Sequence, residues 1–359
     1  MSRNYDVFAL AAAALCGCAS TSQGGGNNGD GGGSGSAPPF TNGVSTLAGS
    51  SDAAFVDGDR DVARFSNPVN VAYGPDGNVY VADFDNGKIR VVRADGTTST
   101  LIQQTNFARP FGLVFADANT LYCTTDSNGQ AQHVPGKTGS IWKIDIGAQQ
   151  ATEIIDSIGM PRGIALLADG RLALADYENH VVELLDPATA ALTTIAGTFG
   201  APGYADGVGT AARFSVPLGI VQRSDGSLVV ADEMNNRLRV VSLTGAVTTL
   251  AGTGQSGYAD GAMTTGMFSQ PEAIAIDKSG TLYVTDLGNY RVRRIKGTTI
   301  DTIAGDGTAG YMDSDDDLSA EFFGLEGLSV KPDGSMVYVA DGSRGNPAPY
   351  NRVRQIELP

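Results

Sequence analysis

One position of a recurring sequence phrase carries charged residues in three of its six copies. It follows the residue that opens each copy, and it is Arg162 in one copy and Glu272 and Glu326 in two others. The next position is Gly or Ala in five copies and Asn70 in the remaining one. Carboxylate and amide oxygens bind hard cations, whereas an arginine beside glutamates forms an ion pair that needs no ligand. These residues therefore predict either a central ligand or metal site, or a self-satisfied cluster of charges.

Two runs of alternating aspartates are a second candidate for cation binding. Aligned to a phenylalanine that both copies share, Phe65 and Phe322, the runs fall at equivalent places in the loops that precede two blades. The runs are Asp57, Asp59 and Asp61, and Asp313, Asp315 and Asp317. A D-x-D-x-D run begins a calcium loop of the EF-hand type, but the glycine and the glutamate that complete such a loop are absent from both runs. The remaining interpretations are an irregular Ca²⁺ site and a solvated acidic patch.

Aspartate and arginine also recur at fixed places in the phrase. The aspartates are Asp83, Asp176, Asp232, Asp286 and Asp341, and the arginines are Arg90, Arg239, Arg293 and Arg354. An aspartate can accept hydrogen bonds from the backbone of a turn, and a nearby arginine can pair with its carboxylate. Because near-copies occur around the whole repeat, we interpret them as structural staples. A ring of ligand-binding residues is the alternative.

The phrase itself predicts the elements that position these residues. It reads VNVAYGPDGNVYVAD from Val69 and GLSVKPDGSMVYVAD from Gly327, with four similar or degenerate copies between them. Short apolar runs separated by Asp-Gly turns indicate hairpins, since glycine accepts positive φ at no steric cost. Each module is thus a four-stranded antiparallel meander. Six such modules predict an all-β, six-bladed β-propeller.

The two ends of the chain are expected to close the ring. The last module stops after its third strand, at residues 352–358, and lacks a fourth. The run VSTLAG at residues 44–49 resembles the fourth strands LTTIAG and VTTLAG of other modules. This N-terminal strand therefore is predicted to pair with the last blade.

Strand parity predicts which face of the ring carries function. The Asp-Gly turns lie on one face, and the longer loops all emerge on the other, which we call the top face. The second and sixth blades have enlarged loops there, Ser127–Gly139 and Gly342–Tyr350, which contain His133 and Tyr350. Loops on a rigid scaffold are where binding usually resides. These two loops either shape a specificity pocket or are tolerated insertions.

The pattern P-x-G-I-A, D-G-x-L-Y-V-A-D, N-x-R-[IVL]-R and T-x-A-G resembles NHL repeats over about residues 44 to 358. The resemblance implies a six-bladed propeller used as a binding platform, with a minority of related propellers acting as metal-assisted lyases or lactonases. The amidating lyases among them hold zinc with several histidines. This chain has only His133 and His180, so a three-histidine zinc site cannot form.

The N-terminus resembles a bacterial lipoprotein signal. Residues 1–17 contain a short apolar stretch and end in a Leu-Cys-Gly sequence before Cys18, the predicted lipidation site. Residues 18–43 are rich in Gly and Ser and are expected to form a flexible tether, with the propeller at 44–359. We therefore expect a lipid-anchored protein of the bacterial cell envelope, at the outer membrane or cell surface, with no other membrane contact.

Charge and cysteine content restrict the remaining classes of function. The formal net charge is −15, which disfavours nucleic acid and favours cationic or basic partners. If Cys16 and Cys18 are used by the signal, only Cys123 remains in the propeller, where a strand position predicts an inert buried thiol.

The predicted function is non-enzymatic recognition of a protein, peptide or glycan on the top face of a monomeric propeller. One alternative is a divalent-metal lactonase or lyase that uses Glu272 and Glu326. A second alternative is a purely structural envelope protein. No serine-hydrolase motif or phosphate-binding loop is evident in the sequence.

Overall fold

The computed structural model describes residues 43–345 and 350–358. Their strands form six antiparallel sheets, and the innermost strand of each sheet contacts those of both neighbouring sheets, so the sheets close into a ring of blades. The predicted six-bladed β-propeller is confirmed. The predicted signal peptide, Cys18 and all of the tether except Gly43 lie outside the described residues. In the described part, no helix has the length and apolarity required to cross a bilayer.

The strands follow the predicted modules. The first, β1 (Gly43–Ser50), belongs to the last blade. Blades 1 to 3 comprise β2 (Pro68–Tyr73), β3 (Val79–Asp83), β4 (Lys88–Val92) and β5 (Thr98–Ile102); β6 (Pro110–Phe115), β7 (Thr120–Thr125), β8 (Ser140–Asp145) and β9 (Gln150–Ile155); and β10 (Pro161–Leu166), β11 (Leu172–Asp176), β12 (Val181–Asp186) and β13 (Ala191–Gly197).

Blades 4 and 5 each gain a fifth, two-residue strand. Blades 4 to 6 comprise β14 (Gly207–Val208), β15 (Pro217–Gln222), β16 (Leu228–Asp232), β17 (Arg237–Val241) and β18 (Ala246–Ala251); β19 (Gly261–Ala262), β20 (Pro271–Ile276), β21 (Leu282–Asp286), β22 (Arg291–Lys296) and β23 (Thr299–Ala304); and β24 (Leu325–Val330), β25 (Met336–Asp341) and β26 (Asn351–Glu357). Short 3₁₀ turns lie at Gly209–Ala211, Glu233–Asn235, Leu287–Asn289 and Asp317–Ser319.

The ring is closed by the two ends of the propeller. β1 pairs antiparallel with β26, from Gly43 opposite Glu357 to Ser50 opposite Asn351. Apolar side chains of neighbouring blades pack against one another around the ring. Cys123 is fully buried in this packing, and burial raises the pKa of its thiol.

The innermost strands approach so closely that some positions admit no Cβ atom. A Cβ built on Gly163 would lie 1.9 Å from the backbone oxygen of Leu218 in the next blade. The small residue in five copies of the phrase is therefore a packing requirement. Asn70 occupies this position in blade 1, where its Cα lies 2.5 Å from a Cβ built on Gly327.

The loop that leads into a blade also covers the outer edge of that blade in four of the six cases. β14 pairs with β18 and β19 pairs with β23, while bridges join Gly58 to Thr98 in blade 1 and Ser314 to Val44 in blade 6. Such pairing protects an edge strand, which otherwise exposes unpaired backbone groups. Within the described residues, blades 2 and 3 have no added strand, so β9 and β13 form their outer edges.

Candidate functional site

The recurring aspartate and arginine form one buried structure in blades 1, 4, 5 and 6, which we call the arginine blades. In blade 1, Arg90 Nη1 lies 2.8 Å from Asp83 Oδ2, and Arg90 Nη2 lies 2.6 Å from Asp57 Oδ1. The guanidinium also lies 4.9 Å and 5.1 Å from the ring centroids of Phe55 and Phe65. The equivalent arginines and carboxylates are Arg239 with Asp232 and Asp206, Arg293 with Asp286 and Asp260, and Arg354 with Asp341 and Asp313.

This structure accounts for the first residue of each acidic run. Asp57 accepts further hydrogen bonds from Thr100, and Asp313 accepts from Thr46, so both carboxylates bind protein groups. Within the described residues no three His, Cys, Asp or Glu side chains lie together as a metal site would require. The remaining aspartates of the two runs therefore belong to no metal-binding group among the described residues. They are Asp59, Asp61, Asp315 and Asp317. Burial raises the pKa of Asp317 to about 6.

Blades 2 and 3 replace the buried arginine with other residues. Strand register places Trp142 and Glu183 at the arginine position. Trp142 Nε1 donates to Thr125 Oγ1 at 3.1 Å, so blade 2 uses a neutral pair. In blade 3, Asp176 keeps the hydrogen bond from its turn asparagine, Asn179, but has no arginine partner among the described residues, and Glu183 Oε1 accepts from the hydroxyl of Thr194. The sequence pattern did not predict these substitutions, because they depend on the pairing register.

A central channel of about 530 Å³ runs between the innermost strands. At its top rim lie Arg162, Glu272 and Glu326, together with Asn70. Beneath the rim, each blade contributes one aliphatic side chain at an equivalent position. These side chains are Val71, Leu113, Ile164, Ile220, Ile274 and Leu328. The channel thus combines a charged mouth with an apolar wall.

Arg162 is held by residues outside the recurring phrase. Its Nη2 donates to Asp126 Oδ2 at 2.8 Å, and its guanidinium stacks between the rings of Phe111, at 4.5 Å, and Tyr177, at 4.7 Å. The alternative in which Arg162 pairs with a glutamate is not what the structure shows, because Asp126 supplies the carboxylate. Asp126 stands one residue beyond the end of β7 and was missed by the sequence reasoning.

The carboxylates of Glu272 and Glu326 lie at the mouth of the channel. Glu272 is only 6% exposed and Glu326 is half-buried, yet neither carboxylate forms a hydrogen bond or ion pair with a described residue. A third glutamate, Glu233, is 7% exposed and accepts a hydrogen bond from Gln270 at 3.3 Å. Burial raises the pKa of Glu233 and Glu326 to about 7, and raises that of Glu272 together with repulsion from the other two glutamates.

Two arginines moderate this accumulation of negative charge. Arg344, in the enlarged loop of blade 6, and Arg162 both lower the pKa values of the three glutamates. Asp126 already neutralises Arg162. The three glutamates are therefore left with Arg344, which forms no ion pair with a carboxylate of the described residues. The mouth is therefore negatively charged whenever at least two of these glutamates are ionised.

The remaining predicted site residues do not all meet here. Asn70 lies at the rim, but its Oδ1 accepts from the backbone N–H of Val71. His133 Nδ1 lies 2.7 Å from the backbone oxygen of Asp126, so its loop supports the aspartate that holds Arg162. Tyr350 instead stacks on Phe323, with 4.0 Å between ring centroids. The two enlarged loops thus make different contacts.

Comparison with known proteins agrees with this architecture. The NHL repeat model matches residues 65–92 and 268–295. The protein SUPPRESSOR OF QUENCHING 1 of Arabidopsis thaliana is 28% identical over 284 residues, covering 69% of this chain and 27% of that protein. NHL repeat-containing protein 2 of Bos taurus is 33% identical over 146 residues, covering 37% of this chain and 20% of that protein. The chain thus spans about a quarter or less of these relatives.

Solved structures share the fold at low sequence identity. A Bacteroides thetaiotaomicron protein of unknown function superposes with a TM-score of 0.69 and 19% identity, covering 87% of this chain and 74% of that one. An auxiliary nutrient binding protein of the same organism gives 0.67 and 16%, covering 87% and 75%. Ring closure and a central channel define the class as a six-bladed β-propeller. Two stretches of the chain, residues 65–92 and 268–295, match the NHL repeat model within this fold.

Proposed function

We propose that this protein is a non-enzymatic binding propeller whose ligand enters the mouth of the central channel. The observation that carries the proposal is Glu272, a buried residue whose carboxylate faces a channel of about 530 Å³ and forms no hydrogen bond or ion pair with any described residue. Burying such a group is costly unless something compensates it. A bound ligand would supply the missing partner. The auxiliary nutrient binding protein of similar fold is one instance of a propeller named for binding, which is compatible with this role.

A channel-filling variant tests the position of the site. Ile164→Trp places a large ring among the aliphatic side chains of the channel wall, whereas Val208→Trp adds the same ring at a position that is 64% exposed. A panel of amines, amino acids, peptides and oligosaccharides is screened by thermal shift against the wild type. Ligands of the channel should lose their effect in I164W and keep it in V208W. Ligands unaffected by I164W would place recognition elsewhere.

We also propose that the propeller is held at the bacterial cell envelope through lipid on Cys18. The support is the sequence Leu-Cys-Gly before Cys18 and the Gly- and Ser-rich stretch that follows it. Fractionation of cells that express the wild type and Cys18→Ala tests the anchor. The wild type should sediment with membranes, while C18A should be absent from them. Equal membrane association of the two proteins would refute the anchor.

A further inference from the structure

The mouth of the channel differs in charge from the wall beneath it, and that difference points to a chemical class of ligand. Glu272 and Glu326 both line the channel, and the negative charge of Glu233 lies near enough to raise the pKa of Glu272. The groups that also face them are Arg162, Arg344, Asp85, Asp126 and Tyr177. Because Arg162 is bound to Asp126, the unmatched charge at the mouth is negative.

Among the described residues that line the channel, none below the mouth is charged. Its six equivalent positions are all Val, Leu or Ile, and further lining residues such as Ala165 and Ala275 are also apolar. An aliphatic chain bound there would leave water and gain hydrophobic free energy. A ligand that satisfies both regions therefore has a positive end and an apolar body.

We propose that the channel binds an organic ammonium or guanidinium compound, with its cationic group between Glu272 and Glu326 and its apolar body against the aliphatic wall. This inference rests on the proposed binding function and specifies its ligand class. A cationic group restores what the glutamates lack, since charge-assisted hydrogen bonds are the stronger kind. A divalent metal ion is the less suitable occupant, because no three His, Cys, Asp or Glu side chains meet in the described residues.

Binding of a cation is expected to weaken as the pH falls. The ligand pairs with ionised carboxylates, and burial raises the pKa of Glu233 and Glu326 to about 7. The raised values mean that protons compete with the cation in the neutral range. Affinity should therefore be highest above pH 8 and fall steadily toward pH 5.5, while affinity for an uncharged compound of the same shape should not follow this profile.

Calorimetric titration of the full protein with heptylamine, heptan-1-ol and heptanoate at pH 8 tests the ligand class. Heptylamine should bind, heptan-1-ol more weakly and heptanoate not at all. The double variant E272Q/E326Q keeps the shape but removes both charges, so it should lose roughly tenfold or more in heptylamine affinity, in line with the strength of hydrogen bonds to charged groups. The control E357Q, which changes an exposed glutamate on the last strand, should bind as the wild type does.

Other outcomes separate this inference from the proposed function. Equal binding of heptylamine and heptan-1-ol, blocked by I164W, would retain a channel site and overturn the cationic class. Heptylamine binding that survives both E272Q/E326Q and I164W would overturn the class and the site. No binding of any of the three compounds would overturn the ligand class, while the wider screen against I164W would still decide whether the channel binds something else. Saturation by Ca²⁺ alone, abolished in E272Q/E326Q, would also overturn the organic class.

Discussion

Blades 1, 4, 5 and 6 surround a buried arginine with two carboxylates, whereas blades 2 and 3 fill the same place with Trp142 and Glu183. The second carboxylate of each arginine blade, such as Asp206, comes from the long loop that enters the blade. Blades 2 and 3 are entered by short connections, at residues 103–109 and 156–160, and have no such loop. The buried arginine and the long loop that enters the same blade therefore form one structural unit.

The same comparison separates structural residues from candidate functional ones. In the arginine blades, the recurring charged residues hold the entry loop and the outer edge of the blade in place. Two charged residues at the mouth come from the blades that lack the buried arginine. They are Arg162 from blade 3 and its partner Asp126 from blade 2. Repetition thus marks scaffold in this protein, and local departure from repetition marks the channel mouth.

The largest effect is expected from removing a buried arginine. Arg239→Ala leaves Asp232, which is 0% exposed, as an unpaired buried carboxylate, and such losses cost about 3–5 kcal/mol of unfolding free energy. Arg171→Ala removes an arginine from an exposed pair with Asp169 and should cost under about 1 kcal/mol. Urea unfolding followed by fluorescence measures both. Equal losses in the two variants would contradict a stabilising role for the buried pair.

In blade 3, the negative charge of Glu183, which occupies the arginine position, should destabilise the protein at high pH. Glu183 is 2% exposed, and burial raises its pKa to about 7 from an ordinary value of 4.5. A raised folded-state pKa means that the folded state binds the proton more tightly, so stability is lost as the pH rises from about 4.5 through 7. Glu183→Gln should therefore gain on the order of 3 kcal/mol over the wild type at pH 8 and little at pH 4.5.

Urea midpoints at several pH values test the Glu183 prediction. The difference between E183Q and the wild type should grow through the neutral range, whereas the control D61N, at an exposed position, should show no such growth. A constant difference across pH would show that Glu183 titrates as an ordinary carboxyl group.

A smaller loss is expected from the neutral pair of blade 2. Thr125 Oγ1 accepts from Trp142 Nε1 and lies 2.7 Å from the backbone oxygen of Ser127. Thr125→Val leaves buried polar atoms without a partner, which costs about 1–3 kcal/mol of unfolding free energy. The loss is smaller than that expected for Arg239→Ala because these atoms are neutral. Thr152→Val, at an exposed position of β9, should stay within about 0.5 kcal/mol. If T125V were as stable as T152V, the hydrogen bonds of Thr125 would not contribute to stability.

The smallest expected difference concerns the outer edges. In blade 4, the N–H of Thr249 donates to Asp206 Oδ2 at 3.3 Å, and β14 pairs with β18. Blade 3 has no equivalent strand in the described residues, so β13 should exchange its outward amide hydrogens faster than β18. Hydrogen–deuterium exchange with peptide-level mass spectrometry compares the two strands. Equal protection would mean that the added strand does not shield the edge.

Much of the scaffold was predictable because it is encoded locally. Turn residues such as Asp76 and Gly77 and alternating apolar residues specify hairpins whatever lies around them. The closing pair of β1 with β26 was predictable because the first strand resembles the fourth strands of other blades. The outer-edge strands β14 and β19 were not, since two-residue strands carry no periodic signal.

The candidate site was only partly predictable. Its rim residues stood out because Arg162, Glu272 and Glu326 break a repeated apolar pattern at the position nearest the axis. Asp126 and Glu233 were missed although each directly follows the second strand of its blade, because their effects on Arg162 and Glu272 act between neighbouring blades and the repeat pattern describes one blade at a time. The sequence also suggested an Arg162–glutamate pair, which the position of Asp126 corrects.

The number of blades, their strands and the way in which the ring closes can be read from the sequence, because hairpins depend on neighbouring residues. Which charges meet depends on the folded chain. Ion pairing depends on distance and burial between residues far apart in the chain, as when Asp57 pairs with Arg90 and Asp126 with Arg162. That pairing leaves Glu272 and Glu326 facing the channel with carboxylates that no described residue binds at hydrogen-bond or ion-pair distance.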